Sequence, residues 1–238
     1  MSKPYRAVFF DAGDTLITIP AAHEMMEAYL AERRFPFDPK VVQNLLDEGI
    51  ARFYYNKSDY SNITVTPETD RNFWVGIYRY ILDRMNASSY WSDEHIHRCC
   101  HELYDLFVAP EYYALFEDVA DCLERLRMMG FRLGLVSNFA PTLREIFRSH
   151  HILHFFDPFI VSTEVGYEKP NPAIFTMALK KANLLSNEVV YVGDHPTNDI
   201  WAPQQVGIDA IRIIRYDGIT GDGIRSLHEL FAWIQHSA

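Results

Sequence analysis

The chain has 238 residues, of which 48% are hydrophobic and 14% aromatic, so its length and composition exclude a disordered chain. It is long enough for one large domain, or for a core with a smaller insertion. The formal net charge of −10 argues against a protein that binds nucleic acid, because an acidic surface repels the phosphate backbone.

A short apolar strand opens the predicted structure. Residues 7–11 read Ala-Val-Phe-Phe-Asp, a strand-prone run that ends in an acid. The region after it contains no run that predicts a buried strand. Its apolar spacing predicts four helices instead, around residues 22–33, 39–54, 68–86 and 92–107. Between the second and third helices, a polar stretch rich in turn residues predicts a loop.

Strands and helices alternate in the rest of the chain. Strand-like runs recur at residues 132–138, 158–163, 188–194 and 209–214, with helical patterns at 118–130 and 171–184 among them. This alternation predicts an α/β fold, in which a parallel sheet carries helices on both faces. We therefore expect a three-layer core formed by residues 1–17 and 113–238, with a helical insertion over residues 18–112.

The cysteines and the apolar runs bear on the compartment. Three cysteines, two of them adjacent, do not make a disulfide framework, and we expect free thiols in a reducing environment. The first residues lack the apolar core of a secretory signal, and no run approaches the roughly 18 apolar residues of a membrane span. These features predict a cytoplasmic protein with no membrane partner. They make no prediction about its oligomeric state.

Polar side chains follow several of the predicted strands. Asp11, Ser137, Asn138 and Asp194 each lie at the carboxyl end of one. In a parallel sheet these ends share an edge, and ligands bind there. We therefore expect the four residues to lie close together.

Four short motifs contribute to this edge. In chain order they are Asp-Ala-Gly-Asp-Thr from Asp11, Val-Ser-Asn with Ser137 and Asn138, Glu-Lys-Pro-Asn-Pro with Lys169, and Val-Gly-Asp-His-Pro-Thr-Asn-Asp with Asp194 and Asp199. Together and in this order they resemble the haloacid dehalogenase-like hydrolase superfamily, in the subgroup with a helical cap inserted after the first motif. The resemblance covers the whole chain. It implies a Rossmann-like core, a helical cap and a Mg²⁺-dependent hydrolase of a small phosphorylated metabolite.

The resemblance implies a phosphatase whose nucleophile is Asp11. A carboxylate on a rigid strand tip can attack phosphorus and form an aspartyl-phosphate. A Mg²⁺ ion held by Asp11 and Asp194 would offset the repulsion between the two anions, and the family adds the backbone carbonyl at Gly13 as a further ligand. Lys169 would place a fixed positive charge beside Asp11 and the phosphoryl oxygens.

The remaining motif residues are predicted to support this reaction. Ser137, or a backbone N–H beside it, would hydrogen-bond a phosphoryl oxygen, and Asn138 would help to bind the substrate. Asp199 would hold Lys169 or a metal-bound water, and Thr15 and Asn138 would be supporting hydrogen-bonders. His195 is expected near the site because it follows Asp194 directly.

Gly13 departs from the family pattern. Most phosphatases of the superfamily carry a second Asp two residues after the nucleophile, which protonates the leaving oxygen and later activates water. General acid–base catalysis contributes about 10²–10⁴-fold, or roughly 3–5 kcal/mol of barrier. Three interpretations remain open. Asp14 substitutes as the acid; or the substrate or a cap residue supplies the proton, or the leaving group needs none. In the third, the protein is catalytically weak, or is a non-enzymatic module that binds a phosphorylated ligand or a partner protein.

Two other chemistries of the superfamily are weaker hypotheses. Phosphonatases use a cap lysine, and Lys57 is predicted to be a solvated lysine in a polar loop. Dehalogenases need no metal, and so have no use for a metal-binding carboxylate in the fourth motif, whereas this chain keeps Asp194 and Asp199. The loop over residues 56–64 is a candidate specificity element. The cap aromatics Trp74 and Tyr78 and residues 53–55 are predicted to pack in the core of the cap.

Overall fold

The structure is a computed structural model that describes residues 5–55 and 64–237. Its strands are β1 (Ala7–Phe10), β2 (Ile17–Thr18), β3 (Ala114–Leu115), β4 (Arg132–Ser137), β5 (Phe156–Val161), β6 (Val189–Gly193) and β7 (Asp209–Arg212). Its α-helices are α1 (Ala22–Glu32), α2 (Pro39–Gly49), α3 (Pro67–Arg84), α4 (Asp93–Phe107), α5 (Val119–Met128), α6 (Leu143–Ser149), α7 (Ser162–Val165), α8 (Pro172–Ala182), α9 (Ala202–Gln204) and α10 (Glu229–Ser237). Two π-helical segments adjoin these helices. Ile50–Tyr55 follows α2, and Pro196–Trp201 precedes α9.

A five-stranded sheet forms the centre of the fold. Its strand order is β5-β4-β1-β6-β7, and every neighbouring pair is parallel. The five strands coincide with the five predicted runs to within about two residues at each end. β1 lies in the middle, with Phe10 in register with Leu135 of β4 and Val192 of β6. The predicted parallel α/β fold is therefore confirmed.

Helices cover both faces of this sheet. Alternate side chains of β1 enter different cores, because successive residues of a strand point to opposite faces. Val8 and Phe10 pack in the cluster that includes residues of α5, α6 and α10. Ala7 and Phe9 pack in the cluster that includes residues of α8 and α9. All four β1 side chains are buried, which makes this strand a rigid support for the residue that follows it.

A helical cap stands apart from the sheet. Helices α1 to α4 share a hydrophobic cluster, which Ala140 of the core loop after β4 also joins. At its base, β2 and β3 pair antiparallel, with Ile17 opposite Leu115. This pair was not predicted, since two residues are too few to produce a pattern in the sequence. Most of the predicted specificity loop, with Lys57, lies outside the described residues.

Among residues 5–55 and 64–237, no helix combines the length and the apolar character that crossing a membrane demands.

Candidate active site

The carboxyl edge of the sheet brings the motif residues together. Asp11 follows β1, Ser137 ends β4 and Asp194 follows β6, and these three strands are neighbours. The Asp11 backbone N–H donates to the Val192 carbonyl at 2.9 Å, which continues the ladder one residue beyond the strand. The predicted meeting of polar strand ends is therefore present in the structure.

Lys169 reaches this edge from the loop between α7 and α8. Its Nζ donates to Asp11 Oδ1 at 2.6 Å and to Asp199 Oδ1 at 2.7 Å. The Lys169 side chain is only 2% exposed, so the ammonium is held almost entirely by protein groups. Burial disfavours the charged amine, but the two aspartates outweigh that effect and raise the pKa of Lys169. The ammonium is a fixed positive charge beside Asp11.

Asp199 is tied at both carboxylate oxygens. Oδ1 accepts from Lys169, and Oδ2 accepts from the backbone N–H of His195 at 3.0 Å. Gly193 permits this position, because a Cβ built there would lie 2.5 Å from the Cβ and Cγ of Asp199. The structure places Asp199 behind Lys169, as the sequence predicted for a residue that holds the lysine.

Tyr191 is a site residue that the sequence analysis missed. Its hydroxyl donates to the Val136 carbonyl at 2.7 Å and accepts from Lys169 Nζ at 3.1 Å. It completes the polar environment of the buried ammonium. The available signal was a phenol in the middle of the aliphatic run Val-Val-Tyr-Val-Gly, which places a polar atom inside the core.

Asn138 lies at the carboxyl edge, and its side chain bonds to the backbone of Lys169. Its Oδ1 accepts from the Lys169 backbone N–H at 2.7 Å, and its Nδ2 donates to the Lys169 carbonyl at 2.8 Å. Both ends of the amide are therefore used to fix the backbone of Lys169. These are the bonds of a supporting hydrogen-bonder, and Asn138 also lines the cavity, so the predicted substrate contact stays a prediction.

The carboxylates of Asp11, Asp194 and Asp199 form a compact acidic cluster. One ligand oxygen from each lies within 4.8 Å of the others. Three carboxylates against one ammonium leave two negative charges uncompensated in a mostly buried place. Within the described part of the chain, no side chain donates a hydrogen bond to the Asp194 carboxylate. Hard oxygen ligands and excess negative charge fit a divalent cation such as Mg²⁺.

The raised pKa values of the clustered carboxylates are consistent with a cation site. Burial raises the pKa of Asp194 well above its ordinary range, and repulsion from Asp199 and Asp11 adds to the rise. Burial likewise raises the pKa of Asp11, against the opposing effect of the Lys169 ammonium. Without a cation the cluster therefore favours protonation, and a divalent cation would reverse that preference.

The remaining predicted residues occupy distinct positions. Ser137 is buried and lines the same cavity as Asp11. For Thr15, the role of a supporting hydrogen-bonder stays a prediction. Its Oγ1 is buried without a partner in the described ranges, and its carbonyl accepts from Arg215 Nη2 at 2.6 Å.

Gly13 and Asp14 both line the cavity. Gly13 needs no unusual backbone conformation, and a Cβ built on it would meet nothing within 4 Å. Asp14 adopts a left-handed φ of 51°, and its Oδ1 accepts from the Tyr216 hydroxyl at 2.6 Å. Burial raises the pKa of the Asp14 carboxyl. There is therefore open space at Gly13, where most related phosphatases carry the acid. The carboxylate of the next residue, Asp14, is bound by the Tyr216 hydroxyl.

A cavity of about 290 Å³ lies between the acidic cluster and the cap. Aromatic rings of the cap line it, among them Tyr54, Trp74 and Tyr78. We predicted that these rings pack in the cap core. Trp74 and Tyr78 do pack against the cap cluster, but they also face the cavity.

His195 connects the core to the cap. Its ring stacks on Tyr55, with centroids 5.0 Å apart and planes 10° from parallel. Nδ1 accepts from the backbone N–H groups of Thr197 and Asn198 at 3.1 and 3.2 Å. Burial lowers the pKa of His195 to about 4, so the imidazole is neutral near pH 7. The expected position of His195 beside the site is present.

Comparison with known proteins gives a consistent family. The model of the haloacid dehalogenase-like hydrolases matches residues 5–207. The "Haloacid dehalogenase-like hydrolase domain-containing protein 3" of Danio rerio is 31% identical over 249 residues, which cover 100% of this chain and 99% of that relative. A glyceraldehyde 3-phosphate phosphatase of Methanopyrus kandleri is 40% identical over 105 residues, which cover 44% of this chain and 45% of the relative.

A solved structure has the same fold. The HAD-hydrolase YfnB of Bacillus subtilis, bound to magnesium, superposes with a TM-score of 0.74. The match covers 97% of this chain and 99% of that one, at 19% identity. At this level of identity the likeness supports the architecture of core and cap alone.

Proposed function

This chain belongs to the haloacid dehalogenase-like hydrolases, and on that premise we propose that it hydrolyses a small phosphate monoester through an aspartyl-phosphate on Asp11, with Mg²⁺. The proposal keeps a core of residues 1–17 and 113–238 and a cap of residues 18–112. Phosphatases among the relatives that match part of the chain support the choice of phosphoryl chemistry.

The position of Lys169 is the observation that carries this proposal. A buried ammonium lies 2.6 Å from the Asp11 carboxylate, which stands at the tip of a fully buried strand. Such a charge stabilises the negative oxygens of a phosphoryl group beside the nucleophile, and it acts more strongly in a buried site than in water. A merely structural ion pair does not require an accompanying cavity, whereas Asp11 also lines the cavity under the cap.

Asp11 and Asp194 would hold Mg²⁺, with the Gly13 carbonyl as a further proposed ligand. When bound, the ion would neutralise the phosphoryl oxygens and orient the group for in-line attack. Asp199 is less suited to direct ligation, since Lys169 and the His195 backbone N–H already occupy its oxygens. Its role in the proposal is to fix Lys169.

The chain's own residues account for the covalent steps. An Asp11 carboxylate oxygen forms a bond to phosphorus, the bond from phosphorus to the leaving oxygen breaks, and its electron pair departs with that oxygen. Water then attacks phosphorus, a proton passes to solvent, and the Asp11 carboxylate is restored as phosphate leaves. Ser137 would hydrogen-bond a phosphoryl oxygen throughout.

The first step lacks the usual proton donor. With Gly13 in the acid's position, the leaving oxygen departs as an anion or takes a proton from elsewhere. That requirement is mild for aryl and acyl phosphates and severe for alkyl phosphates, whose leaving groups are far more basic. We therefore propose substrates with good leaving groups.

A direct test is turnover of p-nitrophenyl phosphate by the purified protein. The proposal predicts Mg²⁺-dependent release of nitrophenol that chelation removes and that Asp11→Asn abolishes. Asp217→Asn, a neutralised acid on an exposed loop, is the matched control and should keep the activity. Turnover that persists in Asp11→Asn contradicts the proposed nucleophile.

A second candidate is a protein that binds a phosphorylated ligand without turning it over. Gly13 favours it, because the acid–base group of most related phosphatases is missing there. Ligand binding without hydrolysis of any phosphate ester would support this candidate. Metal-independent halide release from a 2-haloacid would instead support a dehalogenase, a chemistry that has no use for a metal-binding carboxylate at Asp194.

A further inference from the structure

The turn after β6 begins with an unusual capping residue. His195 precedes Pro196, which opens the π-helical segment Pro196–Trp201. Its Nδ1 accepts from two backbone N–H groups of that segment, Thr197 at 3.1 Å and Asn198 at 3.2 Å. Proline suits the first helical position because no N–H has to be satisfied there, and the residue before it is most often Ser, Thr, Asp or Asn. An imidazole therefore takes the place of a capping hydroxyl, carboxylate or amide.

The capped segment carries the residue that holds Lys169. The Asp199 backbone N–H donates to the His195 carbonyl at 2.9 Å, and Asp199 Oδ2 accepts from the His195 N–H at 3.0 Å. Asp199 Oδ1 accepts from Lys169 Nζ at 2.7 Å, and the same ammonium lies 2.6 Å from Asp11. A displacement of this segment would therefore move Asp199 away from Lys169 and loosen the ammonium beside Asp11.

The ring of His195 has a second set of contacts, with the cap. It stacks on Tyr55 at a centroid distance of 5.0 Å and meets Tyr54 edge-on at 6.2 Å. Both tyrosines belong to the π-helical segment Ile50–Tyr55, and both line the cavity. Stacked and edge-on ring pairs contribute beyond the apolar area that they bury. One side chain of the core thus contacts the segment of the cap that borders the cavity.

The chemistry of the position explains why it holds a histidine. An aspartate would cap the turn, but it would place a fourth carboxylate beside Asp11, Asp194 and Asp199. An asparagine would cap without charge, but it offers no ring to the cap. Because Nδ1 accepts two N–H bonds, it carries no proton, and the imidazole caps as a neutral group. Its Nε2 is buried without a partner among the described residues, so the Nδ1 bonds and the ring contacts orient the side chain.

We infer that His195 is a positioning residue with two separable roles in the reaction. Its Nδ1 fixes the turn through which Asp199 holds Lys169, and its ring holds the cap segment Ile50–Tyr55 at the cavity. This inference rests on the proposed function. The first role acts on the chemical step, because Lys169 stands beside the nucleophile. The second role acts on substrate affinity, because only molecules with the cap segment in place bind substrate fully.

Two substitutions separate these roles. His195→Asn keeps a capping acceptor and removes the ring, whereas His195→Phe keeps a ring and removes the acceptor. We would measure amide hydrogen exchange of the purified protein without substrate. His195→Phe should speed exchange of the Thr197 and Asn198 amides roughly five- to tenfold and leave Ile50–Tyr55 unchanged. His195→Asn should give the opposite pattern.

Steady-state kinetics with p-nitrophenyl phosphate and Mg²⁺ give the second measurement. His195→Phe should lower kcat roughly 10–100-fold with little change in KM, because Lys169 is no longer held in place. His195→Asn should raise KM severalfold and keep kcat, because fewer molecules have the cap segment docked. His228→Asn changes an exposed histidine of the core and is the matched control, which should alter neither parameter.

Tyr55→Leu removes the same stack from the cap side, so the test does not depend on one variant folding. It should reproduce the KM of His195→Asn, and the double variant should not exceed either single one. Additive increases in KM would overturn the role of the ring.

The exchange measurement needs no turnover, so it separates the inference from the proposed function. If both His195 variants loosen the same segment, or change the same kinetic parameter, the two roles are not separable and the inference fails while the hydrolase stands. Undisturbed exchange at Thr197 and Asn198 in His195→Phe rejects the capping role. Absence of turnover in the original protein rejects the proposed function, and with it both kinetic roles, whatever the exchange pattern.

Discussion

Gly13 stands where an acid would be expected, and its surroundings would accept one. Its φ is outside the left-handed region, and a Cβ there meets nothing within 4 Å. We predict that Gly13→Asp folds normally and raises the turnover of an alkyl phosphate by up to about 10²-fold, because a proton donor then faces the leaving oxygen. Aryl phosphate turnover should change little. The measurement is the ratio of kcat/KM for the two esters.

Gly13→Asn distinguishes the effect of a donated proton from the effect of merely adding a side chain at residue 13. It has the same size and cannot protonate the leaving oxygen, so the alkyl-to-aryl ratio should stay at its original value. An equal gain in Gly13→Asn would contradict acid catalysis as the cause.

Gly193 allows the closest approach in the site. A Cβ there would lie 2.5 Å from the Asp199 side chain, which would have to move away from Lys169. We predict that Gly193→Ala lowers kcat/KM by roughly 10–100-fold, the usual effect of losing a group that orients a reacting one. Gly76→Ala, on α3, has nothing within 4 Å of its new Cβ and should stabilise the fold by about 0.5–1 kcal/mol. Unaltered activity in Gly193→Ala would show that Asp199 does not position Lys169.

Individual residues were predictable to different degrees. Asp11, Ser137 and Asp194 could be placed because parallel strands bring their carboxyl ends to one edge. The hydrogen-bond partner of Asn138 could not be predicted, since only the folded loop shows that its amide bonds to the Lys169 backbone. Tyr191 lies within an apolar strand, and the sequence does not indicate which polar groups its hydroxyl will contact.

The loop after β1 is tied to distant elements by a buried ion pair. Arg215 Nη1 donates to Asp118 Oδ2 at 2.8 Å, and its Nη2 donates to the Thr15 carbonyl. Asp118 also accepts from the Leu227 backbone N–H at 2.8 Å. This network joins the first motif to the start of α5 and to the segment before α10, and it fixes the loop that carries Asp14.

The pH dependence of stability should report this network. Burial disfavours the Asp118 carboxylate, but the bonds from Arg215 and Leu227 outweigh it and lower its pKa. A lowered folded-state pKa gives stability that is present above the unfolded value of about 3.9 and is lost as pH falls through the folded value. We predict that Asp118→Asn costs about 3–5 kcal/mol near pH 7 and progressively less below about pH 4, measured by urea unfolding.

Glu124→Gln neutralises an exposed acid on the same helix and serves as the control for that series. Its free energy of unfolding should stay within about 0.5 kcal/mol of the original protein at each pH. A cost for Asp118→Asn that is the same at pH 3 and pH 7 would contradict a role for the carboxylate charge.

Elements were more predictable than the surfaces between them. The five sheet strands follow from apolar runs of four to six residues, whereas β2 and β3 are too short to leave a signal. Helical periodicity identifies an apolar face but not what covers it. Trp74 and Tyr78 pack partly against neighbouring helices and partly line the cavity. Only the packing of the cap on the core determines this division.

At the scale of the whole molecule, the acidic cluster should couple folding to metal. A cation that binds only the folded chain stabilises it by about 2.7 kcal/mol at 100 times its Kd. We predict that Mg²⁺ raises the Tm and that Asp194→Asn removes the shift. Because burial raises the pKa of Asp194, the shift should also shrink as pH falls, as protons replace the cation.

Asp222→Asn is the control for that measurement, because it neutralises an exposed acid in the segment between β7 and α10, outside the acidic cluster. Its Mg²⁺ shift should match that of the original protein. A shift that survives Asp194→Asn would mean that the stabilising cation binds elsewhere.

The central claim is that Asp11 becomes phosphorylated. Rapid acid quenching of a single turnover with an aryl phosphate and Mg²⁺, followed by peptide mass spectrometry, tests it most directly. The account predicts one phosphoryl adduct on the peptide that carries Asp11, formed and lost at rates consistent with turnover and absent from Asp11→Asn. Turnover with no adduct, or an adduct on another residue, would contradict it.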